Sequence, residues 1–197
     1  MNAKKSVSMK ALVLLLAAVL LFGCAAGGTL AWLVTKSDTV TNTFAASGID
    51  ITLVETKLGT SDEKVTENVY QLVPGKEYKK DPVVTVLGST NVDCWLLVKV
   101  EANDPENILN YTLKFDADGW TKVNVNDAVV YARAVTHSTT DQSWHLLVED
   151  KLTVSSGLTE EKMTEAAGAK LSFTAYAIQK EGFADAEAAW AEAKKLG

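Results

Sequence analysis

Cysteine, histidine, proline and arginine are all scarce in this chain: two cysteines, two histidines and three prolines among 197 residues, with Arg133 the single arginine. Each scarcity removes a class of function. His137 and His145 do not stand in the H-E-x-x-H spacing that sets two imidazoles one helical turn apart for zinc. A lone arginine, with the aromatic residues scattered and not interleaved with basic ones, gives no nucleic-acid footprint. Gly-rich phosphate loops and Ser-His-Asp arrangements are missing as well, so neither an active site nor a cofactor is expected. Without a Pro- or Ser-rich linker, an internal repeat or a low-complexity tract, nothing divides the body of the chain.

What is present begins at the first residue. Lys4, Lys5 and Lys10 precede an uncharged, mostly apolar run from Ala11 to Thr35, which ends in Lys36-Ser37-Asp38. Cations that stay cytoplasmic ahead of an apolar stretch that enters the bilayer are the physical pattern of export. The run exceeds the usual apolar region of about 7–15 residues. At about 1.5 Å per helical residue it is also long enough to cross a hydrocarbon core of about 30 Å as an uncleaved anchor. Gly27-Gly28-Thr29 interrupts its second half, and Thr29-Leu30-Ala31 offers the small residues a signal peptidase reads. This favours a cleavage region at Thr29, Leu30, Ala31 and Trp32 over anchoring. Leu21-Phe22-Gly23-Cys24 is similar to a lipobox, but Phe22 is bulky and the chain stays apolar through Val34, so Cys24 reads as a cysteine in an apolar segment.

Three regions follow: residues 1–31 as signal peptide or N-terminal membrane helix, 32–46 as an extended segment, and 47–197 as one domain. Removing the signal lysines leaves 16 basic against 25 acidic residues, a net charge of −9. That surface argues against nucleic acid and against electrostatic docking on anionic lipid. Cys94 is then the sole cysteine, which excludes an internal disulfide and suits an exported Gram-positive protein.

The domain reads as strands. Ile49, Ile51 and Leu53 alternate with Asp50 and Thr52 at period 2. Residues 68–73 read as a second strand, ended by a Pro74-Gly75 turn that needs φ > 0. Further strands are expected over 83–87, 93–102, 109–115, 120–125, 128–134, 144–148, 151–154 and 171–178. In the 93–102 strand Cys94, Leu96, Val98 and Val100 share the buried face. Short helices are expected at 159–166, with Thr159 as N-cap, and after Asp185, where Ala186, Ala189, Trp190 and Ala193 share a face. The fold class is mainly β: an antiparallel, jelly-roll-like β-sandwich with a short C-terminal helix anchored by Trp190.

Individual residues add little chemistry. Cys94 alternates with Leu96 and Val98, so it reads as a buried hydrophobe and not as a nucleophile. His145 and Glu149 lie four apart in a strand-like stretch, where that spacing does not join them. Asp116, Asp118 and Gly119 echo the start of a calcium loop without its later acceptors and read as a turn. Asn110-Tyr111-Thr112 matches a glycosylation tripeptide in the middle of a strand.

Several segments carry a resemblance. These are Gly27-Gly28-Thr29-Leu30-Ala31-Trp32-Leu33, Thr41-Asn42-Thr43-Phe44, Gly48-Ile49-Asp50-Ile51-Thr52-Leu53 and Leu72-Val73-Pro74-Gly75-Lys76 with residues 82–86. Toward the C-terminus, Ser172-Phe173-Thr174-Ala175-Tyr176-Ala177-Ile178-Gln179 and Ala188-Ala189-Trp190 join them. Together they resemble the TasA/camelysin family of exported Gram-positive proteins; residues 101–168 carry no such likeness. The resemblance implies a jelly-roll-like fold, cleavage by a SipW-type signal peptidase, and a secreted or cell-surface location with membrane contact only through the N-terminal segment before cleavage. It further implies a structural role in biofilm-matrix fibres, by self-association or with a related fibre subunit. The segment freed by cleavage would complete the sheet of a neighbour, and Val34, Val40, Thr41 and Phe44 make it a candidate donor strand. Camelysin-like relatives are described as metallopeptidases; that secreted-enzyme alternative finds no zinc motif here.

Overall fold

The structure, a computed structural model, describes residues 34–36, 48–115 and 119–196, the first three by their backbone. In chain order the strands are β1 (Val34–Lys36), β2 (Ile51–Thr56), β3 (Lys64–Val65), β4 (Glu77–Lys79), β5 (Val83–Val86) and β6 (Cys94–Asn103). They continue with β7 (Leu109–Asn110), β8 (Trp120–Val123), β9 (Val129–Val135), β10 (Gln142–His145), β11 (Lys151–Val154) and β12 (Lys170–Gln179). Two helices, α1 (Glu160–Glu165) and α2 (Ala186–Ala193), fall before and after β12. No helix among the described residues is long and apolar enough to cross a membrane, and the apolar N-terminal run lies outside them.

All the pairings are antiparallel. They make a five-stranded sheet ordered β1-β12-β6-β9-β8, a four-stranded sheet ordered β10-β5-β2-β3, and a small sheet β4-β11-β7. Period-2 alternation explains how the first two share a core. Ile51, Leu53, Val84 and Val86 from one, and Leu96, Val98, Val100, Phe173 and Ala175 from the other, belong to a single buried cluster. Cys94 lies in it, as its alternation with Leu96 requires.

Alternation alone would leave Leu97, Val130, Ala132, Tyr176 and Ile178 facing away from that core, yet all are buried. Helix α2 supplies the reason, since it lies against β12, β1, β6 and β8. Leu97 sits between Tyr176 on β12 and Ala132 on β9 in the strand register, so the three form one row on that outer face. Ala186, Ala189, Trp190 and Ala193 are the buried residues of α2. The Asp185 carboxylate caps it by accepting from the Ala188 N–H at 2.8 Å. Thr159 caps α1 in the same manner.

Three strand expectations need correction. Residues 68–73 form no strand. Their polar groups are engaged locally: Asn68 accepts from the Leu58 N–H (2.7 Å) and donates to the Thr56 carbonyl (2.8 Å), and the Tyr78 hydroxyl donates to the Gln71 carbonyl. The segment is a strap along the groove lining, with Val69 left exposed. The expected strand over 109–115 is paired only as β7 and at an isolated Leu113–Leu147 bridge. The strand expected over 144–148 is β10, which runs over Gln142–His145, and a 3-10 turn at Val148–Asp150 with Glu149 and Asp150 at positive φ keeps the chain from extending as a strand there. Gly75 does take the positive φ its turn demands, 73°.

Candidate functional site

The two sides of the paired sheets differ, and the difference defines the site. On one side, edge strands β8 and β10 are closed by aromatic contacts. Trp120 meets Trp144 edge to face at 6.3 Å, and the Arg133 guanidinium lies 4.8 Å from the Trp144 ring. Phe115 joins them, stacked on Tyr131 at 4.1 Å and edge-on to Trp120 at 5.0 Å.

On the other side β12 pairs with β6 along Lys170–Gln179, and β1, the one described strand on its far side, pairs with Ile178, Ala177 and Tyr176. Among the described residues no strand pairs with β12 on its β1 side at residues 170–174. Beside this edge lies a groove of about 550 Å³, walled by Leu53, Leu152, Leu171 and Phe173 and by Tyr70 of the strap. An apolar trough along a strand edge with no described partner is chemically suited to an extended peptide. The edge supplies main-chain donors and acceptors, and the trough takes alternate side chains.

The polar groups of this region are paired. Lys80 Nζ lies 3.0 Å from Glu55 Oε2, with both side chains almost fully buried. Asp81 accepts from the Thr56 N–H (2.7 Å) and the Thr56 hydroxyl (2.6 Å), and Lys79 Nζ stands 3.2 Å away. Burial opposes ionisation of Asp81, but the Thr56 bonds and Lys79 outweigh it and hold the carboxyl below its ordinary range. The Tyr70 phenol is pushed up, first by burial and then by Glu55. These pairs fix the groove wall. Sequence reading missed them, although Glu55 continues the inward positions of Ile51 and Leu53. A charge at a core position is itself a signal.

The remaining candidates are dispersed. His137 Nδ1 donates to the Thr90 carbonyl at 2.7 Å, which fixes its tautomer because a carbonyl only accepts. His145 Nδ1 contacts Asp150 Oδ1 at 2.9 Å, a partner one residue beyond the Glu149 considered from spacing. Burial, with a smaller push from Asp93, takes the Cys94 thiol up to about 12. Asn110 Nδ2 donates to Ser155 Oγ at 3.0 Å. No three His, Cys, Asp or Glu residues come together among the described residues. Of the expected donor strand, Val34 is described, in β1 opposite Ile178; Val40, Thr41 and Phe44 lie outside the described residues. So do the cleavage region Thr29, Leu30, Ala31 and Trp32, the lipobox-like Cys24, and Asp116 and Asp118.

No family model, curated protein or solved structure matches the chain. Function therefore has to be argued from the edge of β12 and from the residues that carry the resemblance.

Proposed function

We propose that this chain is an exported structural protein of the Gram-positive cell surface or biofilm matrix, of the TasA/camelysin kind, that assembles by exchanging its N-terminal strand. In this reading a SipW-type peptidase cuts between Thr29 and Trp32, and the domain is a jelly-roll-like sandwich outside the membrane. The observation that carries the reading is the position of β1. Val34–Lys36, within the candidate donor segment, lies as an edge strand on β12, on the side where no described strand pairs with residues 170–174 and beside an apolar groove.

Exchange of such an element costs little, because the strand makes the same ladder on its own β12 or on that of a second copy. Each copy has one donor and one acceptor. Donation from copy to copy is thus head-to-tail and continues as an open filament unless the rotation closes a ring.

The register provides the test. Thr35 is opposite Ala177, and directly opposed antiparallel residues come within disulfide reach. Chains beginning at Trp32 and carrying Thr35→Cys are mixed with chains carrying Ala177→Cys, then oxidised. A disulfide-linked heterodimer is expected on a non-reducing gel. Its absence at concentrations where the protein assembles would overturn strand exchange.

A further inference from the structure

Helix α2 has a role beyond covering the outer face of the sheet. We infer that the β12 edge and α2 together form a single slot whose occupant is the sequence Val34–Lys36, supplied in the assembled state by a second copy. The inference rests on the strand-exchange reading and adds the helix as half of the receptor.

The first ground is that the slot is seen filled by that same sequence. Residues 34–36 pair with Ile178, Ala177 and Tyr176, and α2 lies against both β1 and β12. A second copy carries an identical segment, so complementarity to it needs no new surface. The second ground is placement. Tyr176, the ladder partner of Lys36, is also the residue on which Trp190 of α2 packs, and α2 lies against β1 itself, so a strand laid there meets the sheet edge and the helix together. The helix is a second wall.

Trp190 is the anchor of that wall. It is 3% exposed, and its ring meets Tyr176 edge to face at 5.3 Å and 84°. Tyr176 is the residue opposite Lys36, so the helix is anchored beside the described β1 ladder. The other buried residues of α2 are alanines, which contribute close approach and little area. Among the described residues its polar contacts to other elements lie elsewhere and are long. Glu187 Oε1 accepts from the Asn124 N–H at 3.4 Å, and Lys194 Nζ stands 3.4 Å from Asp127, both tying α2 to the segment between β8 and β9. The Trp190 indole N–H is buried without an acceptor among the described residues. The ring therefore acts through its apolar faces, and Trp190→Phe keeps an aromatic on Tyr176 while removing an unpaired donor.

The test uses the chain from Trp32 with Trp190→Ala and Trp190→Phe, read by hydrogen exchange at residue resolution. In the alanine variant the β1 amides should exchange at least tenfold faster while the central β6 amides change less, and phenylalanine should restore protection. Unchanged β1 amides overturn the slot, and so does an equal acceleration throughout β1, β6 and β9. The Thr35→Cys and Ala177→Cys mixture is then repeated with Trp190→Ala, where heterodimer yield should fall several-fold. Undiminished heterodimer would overturn the helix's part and leave strand exchange standing. Loosened β1 amides with no heterodimer in any variant would remove strand exchange, and with it the second-copy occupant.

Discussion

Asp81 shows how a single buried acid couples this fold to pH. Its folded-state carboxyl lies below its ordinary range, so it contributes stability above about pH 4, the unfolded value, and loses it as pH falls through the folded one. Asp81→Asn should cost about 1–3 kcal/mol at pH 7. In urea titrations the gap to the parent protein should narrow at pH 3 and below; a constant gap would contradict the assignment. Glu55 and Lys80 behave differently, because their ion pair is buried on both sides. Lys80→Met alone strands a carboxylate and should cost about 3–5 kcal/mol, whereas Glu55→Leu with Lys80→Met should recover most of it. Chemical denaturation of the four-member cycle measures the coupling. Half of this pair was legible in the sequence, since Glu55 follows Ile51 and Leu53 at period 2. Lys80 was not, because nothing local marks a partner 25 residues away. Cys94 was legible in full from its alternation with Leu96 and Val98.

Among the elements, legibility followed how completely local pattern and neighbours agreed. Strands β6 and β12 alternate over long runs, and each has a partner along its whole length. The α2 face was readable to the residue, since Asp185 starts the helix and an alanine-tryptophan stripe has nowhere to go but the sheet. Residues 68–73 failed because strand propensity describes fit to an available sheet edge. Asn68 and Tyr78 instead engage the local backbone and make a strap. Strand β3, two residues long, is too short to alternate. The turn into β2 gives an element-scale prediction. Gly48 has φ of 75°, and a Cβ there would lie 2.3 Å from Asn91 Oδ1. Gly48→Ala should destabilise by about 1–3 kcal/mol from backbone strain and crowding. A thermal midpoint equal to that of the parent would show that the turn relaxes freely.

For the whole molecule, a layered antiparallel body was readable from many short alternating runs separated by turns. The asymmetry of its two sides was not, because it depends on which strands become edges. Trp120, Trp144 and Arg133 close one side, while on the other no described strand pairs with β12 at residues 170–174, beside the groove. That asymmetry is what supports the proposal of an exported β domain acting as a polymer subunit. The export step has its own check: mass spectrometry of the extracellular protein should find a first residue between Leu30 and Leu33, and an intact Met1 would mean an anchor. The most direct test of the central claim compares two purified chains by electron microscopy, one beginning at Trp32 and one beginning at Ser47. Fibres are expected from the longer chain only, and fibres from both, or from neither, would contradict assembly through the N-terminal strand.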